Sequence, residues 1–207
     1  MTQLHPISLC NVIYKIISKI LANRLKYVLT QVISDNQSAF VLGCLITDNI
    51  LVAFESLHYM KIKRQGRATH MAIKLDMSKA YDRVEWEFLR AMMEKMGFDD
   101  RWIQLIMTCL QSVSYSILLN RAPVGYIKPS RGIRQGDPLS PYLFLICAEG
   151  LTALLREAET SGALRGLSIG RGGPQISHLL FTDDSLLFCR ANMEECRTLL
   201  STLSVYE

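Results

Sequence analysis

The chain has 207 residues, 49% of them hydrophobic and 20% charged, so it can bury a sizeable core as one domain or two closely packed lobes, which excludes a disordered chain. Its formal net charge of +4 and isoelectric point near 8.7 permit an anionic partner without requiring one. The six cysteines (Cys10, Cys44, Cys109, Cys147, Cys189 and Cys196) show no CxxC spacing and fall mostly in apolar periodic runs, which argues against a zinc site or disulfide framework and for reduced, buried thiols.

No apolar run is long and uncharged enough to span a bilayer, and the polar start "MTQLHPISLCN" lacks the features of a signal peptide. The expectation is a soluble, intracellular protein with no membrane association. Charge is uneven along the chain. Through Lys74 the bases Lys15, Lys19, Arg24, Lys26, Lys61, Lys63, Arg64 and Arg67 face only Asp35, Asp48 and Glu55. This third would attract a phosphate backbone, or it forms an ordinary solvated face.

From Asn11 to about Ile33, apolar residues recur with helical period and Lys15, Lys19 and Lys26 fall between them, which predicts an amphipathic helix with a basic side. "ISDNQSAFVLGCLIT" breaks that pattern, and Thr47 or Asp48 can cap a second helix carrying Ile50, Leu51, Phe54 and Leu57. "KIKRQGRATH" reads as a loop, "MAIKLDM" as a strand ending near Asp76, and "RVEWEFLRAMMEKMGF" as a helix stopped by Gly97. A helix over roughly Asp100 to Leu110 follows. "SYSILLNRAPVGYIKPSRGI" suggests two strands around a turn at Asn120 to Pro123, and "RQGDPLSP" is a loop opening the apolar helix "YLFLICAEGLTALLREAE". "LRGLSIG", "QISHLLF" and "SLLFCRA" are short strand candidates, and Asn192 can cap a last helix through Leu203. The fold class is α+β, a small antiparallel sheet backed by helices, with no repeat or linker.

The chemistry-bearing residues are carboxylates at strand ends. Asp183 and Asp184 lie between apolar runs of strand composition, which predicts a hairpin with the pair at its tip. Asp76 closes another strand, and neighbouring strands are under about 5 Å apart, so carboxylates on adjacent strands could share two closely spaced Mg²⁺ ions. Magnesium suits an all-oxygen donor set, and no His/Cys cluster competes for a softer metal. The alternatives are a plain turn for the pair and a helix N-cap for Asp76. In "GIRQGDPLSPYLF", a glycine-flanked loop before a helix can approach a flat substrate, with Gln135 offering donor and acceptor; an ordinary capped loop is the alternative.

"LDMSKAYD", then "GIRQGDPLSP", then "FTDD" between apolar runs resemble, in that order, the sequence blocks of reverse transcriptases. The wording of "PISLCNVIYKIISKILANRLK", "ISDNQSAFV", "LITDNILVAFE", "AIKLDMSKAYDRVEW" and "DDSLLFCRAN" is most similar to the LINE-type, non-LTR retrotransposon enzymes of plants. The resemblance implies a right-hand polymerase fold without its thumb. Partial fingers would occupy about residues 1–68, and residues 69–207 would be mainly palm, an RRM-like antiparallel sheet, with some fingers elements.

By the same resemblance, Asp76, Asp183 and Asp184 are the catalytic carboxylates and hold two Mg²⁺ ions, with Mn²⁺ as a substitute, and the Met77 carbonyl adds a ligand. Tyr81 lies against the incoming sugar and excludes a 2′-hydroxyl, or else simply packs in the core. Gln135 and Gly136 contact the nucleotide and template, and Lys79 and Arg134 contact phosphate. The implied partners are an RNA template, a DNA primer and deoxynucleoside triphosphates, with endonuclease and thumb regions belonging to the full-length element and nuclear DNA as its place of action.

Several positions depart from the family. His5 and Cys44 stand where arginines are usual, which removes charge-assisted phosphate contacts, and Leu42 replaces a proline. Thr182 replaces the commoner alanine before the aspartates, and its β-branching suits a strand. Two functions follow from the sequence: an RNA-directed DNA polymerase, or an inactive relic that at most binds nucleic acid. Met92, Met93, Met96 and Met107 read as gap-filling core, and Trp86 and Trp102 as packing anchors. His58, His70 and His178 receive no chemistry.

Overall fold

A computed structural model describes residues 10–62, 69–170 and 173–206. His5, Lys63, Arg64 and Arg67, which the sequence marks as departures or phosphate-attracting bases, lie outside the described residues. In chain order the elements are α1 (Val12–Val32), α2 (Ile46–Ile62), β1 (His70–Asp76), α3 (Ala80–Arg83), α4 (Trp86–Lys95), α5 (Asp100–Gln111), β2 (Tyr115–Leu119), β3 (Ala122–Ile127), α6 (Ser140–Thr160), β4 (Leu167–Ser168), β5 (Gln175–Ile176), β6 (His178–Phe181), β7 (Asp184–Arg190) and α7 (Met193–Tyr206). This is the expected mixture of helices with small antiparallel sheets.

The chain divides into two compact units. One comprises residues up to Leu25 together with Lys79–Cys147; the other comprises Lys26–Ser78 with the chain from Ala148 onward.

In the first unit, α4 and α5 pack on one another through Leu89, Met93, Ile103, Ile106 and Met107, all buried. Helix α4 starts at Trp86 because Val84 and Glu85 are not yet helical, and Gly97, at φ 80°, turns the chain out of it as expected. Asp99 caps α5 by accepting from the Arg101 amide at 2.9 Å. Strands β2 and β3 form a hairpin whose turn is only Asn120–Arg121, both at positive φ (50° and 69°), the geometry that suits the twist of a two-residue connection. Pro123 therefore lies in β3, opposite Leu118, instead of in the turn.

In the second unit, the central sheet has the order β1-β7-β6, both pairings antiparallel. Alternation decides its faces. Leu187 and Cys189 of β7 form a core with Leu151, Leu155, Ala158, Leu164 and Leu199 from α6, the loop after it and α7, and Ile73 of β1 packs against it. Met71, Leu75 and Met77 pack against the same cluster. Asn192 caps α7 through the Glu195 amide at 2.8 Å, and the helix continues past Leu203 to Tyr206. Helix α2 departs from expectation at its start: Asp48 lies inside the first turn and its carboxylate reaches back to the Leu45 amide at 3.2 Å.

Helix α1 is amphipathic in a restricted sense. Ser18, Leu21, Leu25 and Leu29 form a buried stripe, while Val12, Ile13, Ile16, Ile17 and Ile20 remain exposed. The six cysteines are all thiols; Cys109, Cys147 and Cys189 are buried, and burial pushes Cys147 up to about 12 and Cys189 up to about 11. Cys10 and Cys196 are half-buried and Cys44 is exposed, so the expectation of buried thiols holds for three of the six.

Candidate functional site

Strand register explains how two distant carboxylates meet. In the β1–β7 ladder Asp76 is directly opposite Asp184, one step beyond Leu75 and Ser185. Since Ile73 and Leu187 point into the core, Asp76 and Asp184 share with Lys74 and Leu186 the opposite face. Asp76 is thus the last residue of its strand and not a helix cap. The next helix, α3, begins four residues later, and its cap position is Lys79, held in the left-handed region at φ 56° with no side-chain cap.

The aspartate pair is divided between two environments. Thr182 and Asp183 form the two-residue turn between β6 and β7, whereas Asp184 is the first residue of β7, opposite Phe181. Both carboxylates are exposed. The Asp183 carbonyl accepts from the Met77 amide at 3.4 Å, which brings the turn to the end of β1. Thr182 is at φ 54°, a region that β-branched residues rarely enter, so the expectation that it sits comfortably in a strand is corrected. A turn this short needs a left-handed residue, and the sequence supplies threonine for it.

Electrostatics on this face are set by Lys74. Its Nζ lies 3.0 Å from Asp184 Oδ1, and Asp184 first, then Asp76, raises the lysine pKa above its ordinary value. A cation therefore already sits among these carboxylates, as expected where like charges are brought together on one strand edge. Among the described residues no three His, Cys, Asp or Glu side chains stand as a ready-made metal cluster. The donor chemistry nevertheless suits a hard divalent ion, with exposed carboxylate oxygens and backbone carbonyls, and the Lys74 ammonium marks Asp184 as a place where a cation is stabilised and would compete with the ion.

The other expected site residues lie in the first unit. Gln135 and Gly136 are exposed in the loop before α6, and Gly136 has φ 93°. Arg134 is anchored. Its guanidinium lies 3.8 Å from the centroid of the Tyr14 ring and donates to the Cys109 carbonyl at 3.1 Å, while its Nε is 3.7 Å from Asp137 Oδ2. Asp137 in turn accepts from the Tyr14 hydroxyl at 2.6 Å and the Leu139 amide at 3.1 Å. Burial and then Asp137 push the Tyr14 hydroxyl far above its ordinary range, so it stays a donor.

This loop is also fixed to the helix that bears Tyr81. The Gly132 and Ile133 amides donate to the Val84 and Tyr81 carbonyls at 2.7 and 2.8 Å, and the Trp86 indole donates to the Gly132 carbonyl at 2.8 Å. The half-buried Tyr81 ring lies 5.3 Å from the Phe144 ring, tilted by 39°. Lys79 is exposed. The structure thus assembles the three aspartates with Met77 in one unit and Tyr81, Lys79, Arg134, Gln135 and Gly136 in the other.

Sequence reasoning missed Lys74, although its place two residues before Asp76 on an alternating strand puts the two on one face. It also missed Ser177, whose hydroxyl is 2.6 Å from His178 Nδ1 in a buried pair. Gln37, in the loop after α1, carried no signal in the hydrophobic pattern.

Comparison with known proteins bears on the family and the fold. The chain is 29% identical over 204 residues, 96% of its length and 15% of the relative's, to an uncharacterized 149 kDa protein of transposon TX1 from Xenopus laevis. It is 28% identical over 149 residues, 72% of its length and 24% of the relative's, to a retrovirus-related Pol polyprotein from the type-1 retrotransposable element R2 of Popillia japonica. An uncharacterized mitochondrial protein of Arabidopsis thaliana shares 53% identity over 68 residues, 33% of this chain and 56% of that protein. The chain therefore spans only a part of the curated relatives it matches. Among solved structures, the telomerase of Candida albicans, in complex with a fragment of telomeric RNA, superposes with a TM-score of 0.60 at 13% identity, covering 91% of this chain and 31% of that one, a likeness of fold. Residues 1–206 match the family described as reverse transcriptase (RNA-dependent DNA polymerase), and the chain belongs to that family.

Proposed function

We propose that this chain is the fingers and palm of a plant LINE-type, non-LTR retrotransposon enzyme that adds deoxynucleotides to a primer 3′-hydroxyl on an RNA template. The observation that carries the reading is the register pairing of Asp76 with Asp184, with Asp183 in the adjoining turn tied to Met77. Carboxylates held together at one end of adjacent strands repel one another, which favours a bound cation beyond the Lys74 ammonium that pairs with Asp184. The relatives from TX1 and R2 support a retrotransposon origin, and the Arabidopsis relative supports a plant one.

In this reading Asp76, Asp183 and Asp184, with the Met77 carbonyl, hold two divalent ions, Mg²⁺ or Mn²⁺. When bound, such ions lower the pKa of the primer hydroxyl and neutralise charge on the leaving pyrophosphate. The chain's own residues do the rest. Sheet pairing fixes the carboxylates before substrate arrives, so little reorganisation is needed. Gln135 and the backbone at Gly136 meet the nucleotide and template, the exposed Lys79 meets phosphate, and Tyr81 excludes a sugar 2′-hydroxyl. Arg134 steadies the Gln135 loop through Tyr14 and Asp137, and phosphate contact is its secondary role. Residues 1–68 correspond to partial fingers and 69–207 mainly to palm. Nuclear DNA is the proposed place of action, and endonuclease and thumb regions complete the element.

The test is primer extension on an RNA template with deoxynucleotides and Mg²⁺, using the chain and its Asp183→Asn variant. Extension that the substitution abolishes supports the reading. Binding of the primer–template duplex with no extension by the parent overturns it in favour of the inactive relic, and equal extension by both overturns the carboxylate assignment.

A further inference from the structure

The catalytic hairpin of the proposed reaction is held on its outer edge by a segment that the hydrophobic pattern leaves as loop. The Leu180 amide donates to the Asn36 carbonyl at 2.8 Å, and Gln37 forms a parallel bridge with Leu180, so residues 36–38 extend the sheet beyond β6. Two asparagine side chains strengthen the seam: Asn36 Nδ2 donates to the His178 carbonyl and Asn49 Nδ2 to the Leu180 carbonyl, each at 2.9 Å.

Gln37 lies at the end of this seam nearest the turn. Its side chain is 1% exposed, and Oε1 accepts from the Ala39 amide at 3.0 Å and from the Thr182 amide at 3.4 Å. Thr182 is the turn residue forced to φ 54°, and the next residue, Asp183, is gripped through its carbonyl by the Met77 amide. A β-branched residue keeps such a conformation only where neighbouring groups over-determine it. Gln37 Oε1 is the acceptor that meets the strained residue's own amide. Within the described residues Nε2 of the same side chain finds no hydrogen-bond partner, so a buried amide is retained here with only its oxygen satisfied.

We infer that Gln37 is a positioning residue: it holds the Thr182–Asp183 turn in the strained conformation that presents the Asp183 carboxylate beside β1. This rests on the reading of Asp183 as a metal-holding catalytic group. Removing the acceptor lets the turn relax, and the carboxylate then samples positions away from Asp76 and Asp184.

The test compares Gln37→Met, which keeps the volume but removes the acceptor, with Gln37→Glu, which retains one. Amide hydrogen exchange across residues 178–190 and the kinetics of single-nucleotide addition are measured for each. Gln37→Met is expected to speed exchange at the turn about tenfold and lower kcat about tenfold, with KM for the deoxynucleotide within about twofold, and Gln37→Glu to recover most of both. If Gln37→Met does not fold, Gln37→Asn, which withdraws the amide by one methylene, takes its place. Exchange and kcat unchanged from the parent overturn the inference, as does a rise in KM with kcat unchanged. A parent chain with no activity would count against the polymerase reading, while the exchange data would still decide whether Gln37 holds the turn.

Discussion

His178 lies on the first strand of the aspartate hairpin and gives the protein an acid sensitivity whose size can be worked out. The ring is 1% exposed and its Nδ1 is taken by Ser177, while burial first and the Arg156 charge second lower its pKa from 6.5 to about 4. The unfolded chain protonates this imidazole near 6.5 and the folded chain resists until about 4, so between these values the unfolded state binds more protons. The stabilising contribution is therefore complete above about pH 6.5 and is lost as the pH falls towards 4, by about 3 kcal/mol at about 1.4 kcal/mol per pH unit. Burial pushes the Glu149 carboxyl the opposite way, above its ordinary value, so the histidine is isolated by comparing parent and variant. The assay is therefore urea unfolding of the parent and His178→Gln, near pH 7 and near pH 4.5. The variant should lose stability at neutral pH, through the unpaired Ser177 hydroxyl, yet show a shallower fall on acidification. Equal falls in the two proteins would refute the claim that His178 is kept neutral by burial.

Three further outcomes follow from the site geometry. Gly132→Ala would place a methyl 3.1 Å from the Asp82 carbonyl at φ 85°, so we expect a loss of about 2 kcal/mol, read as a lower thermal midpoint, with no change in the overall circular dichroism. Lys74→Met removes the ammonium from Asp184, and we expect Mn²⁺ to bind about 2–5-fold more tightly, the gain shrinking as salt is added. Tyr81→Ala should admit ribonucleotides in primer extension; unchanged sugar selection would leave the ring a packing role against Phe144.

The sequence made the elements legible because their signals are local. The alternation in "MAIKLDM", the glycine after α4 and the Asn192 cap all act within a few residues, and each is found where expected. Register was not legible. That Asp76 faces Asp184 is a matter of how two strands more than a hundred residues apart slide past one another, and the two-residue β6–β7 turn with a left-handed threonine runs against the preference of that residue type. The Arg134, Tyr14 and Asp137 cluster was equally hidden, since Tyr14 is more than a hundred residues from the other two and meets them only in three dimensions. Gln37 illustrates the same limit: a polar residue between helices is ordinary in sequence and becomes informative only when its oxygen is seen at the Thr182 amide.

In the proposed reading, Asp76, Asp183 and Asp184 form one divalent-cation site. Its most direct test is a titration with Mn²⁺, free ion being read by electron paramagnetic resonance, on the parent, Asp76→Asn and Asp183→Asn. Saturable binding by the parent and a loss of at least about tenfold in affinity in each variant are expected. Binding that is the same in all three proteins would contradict it.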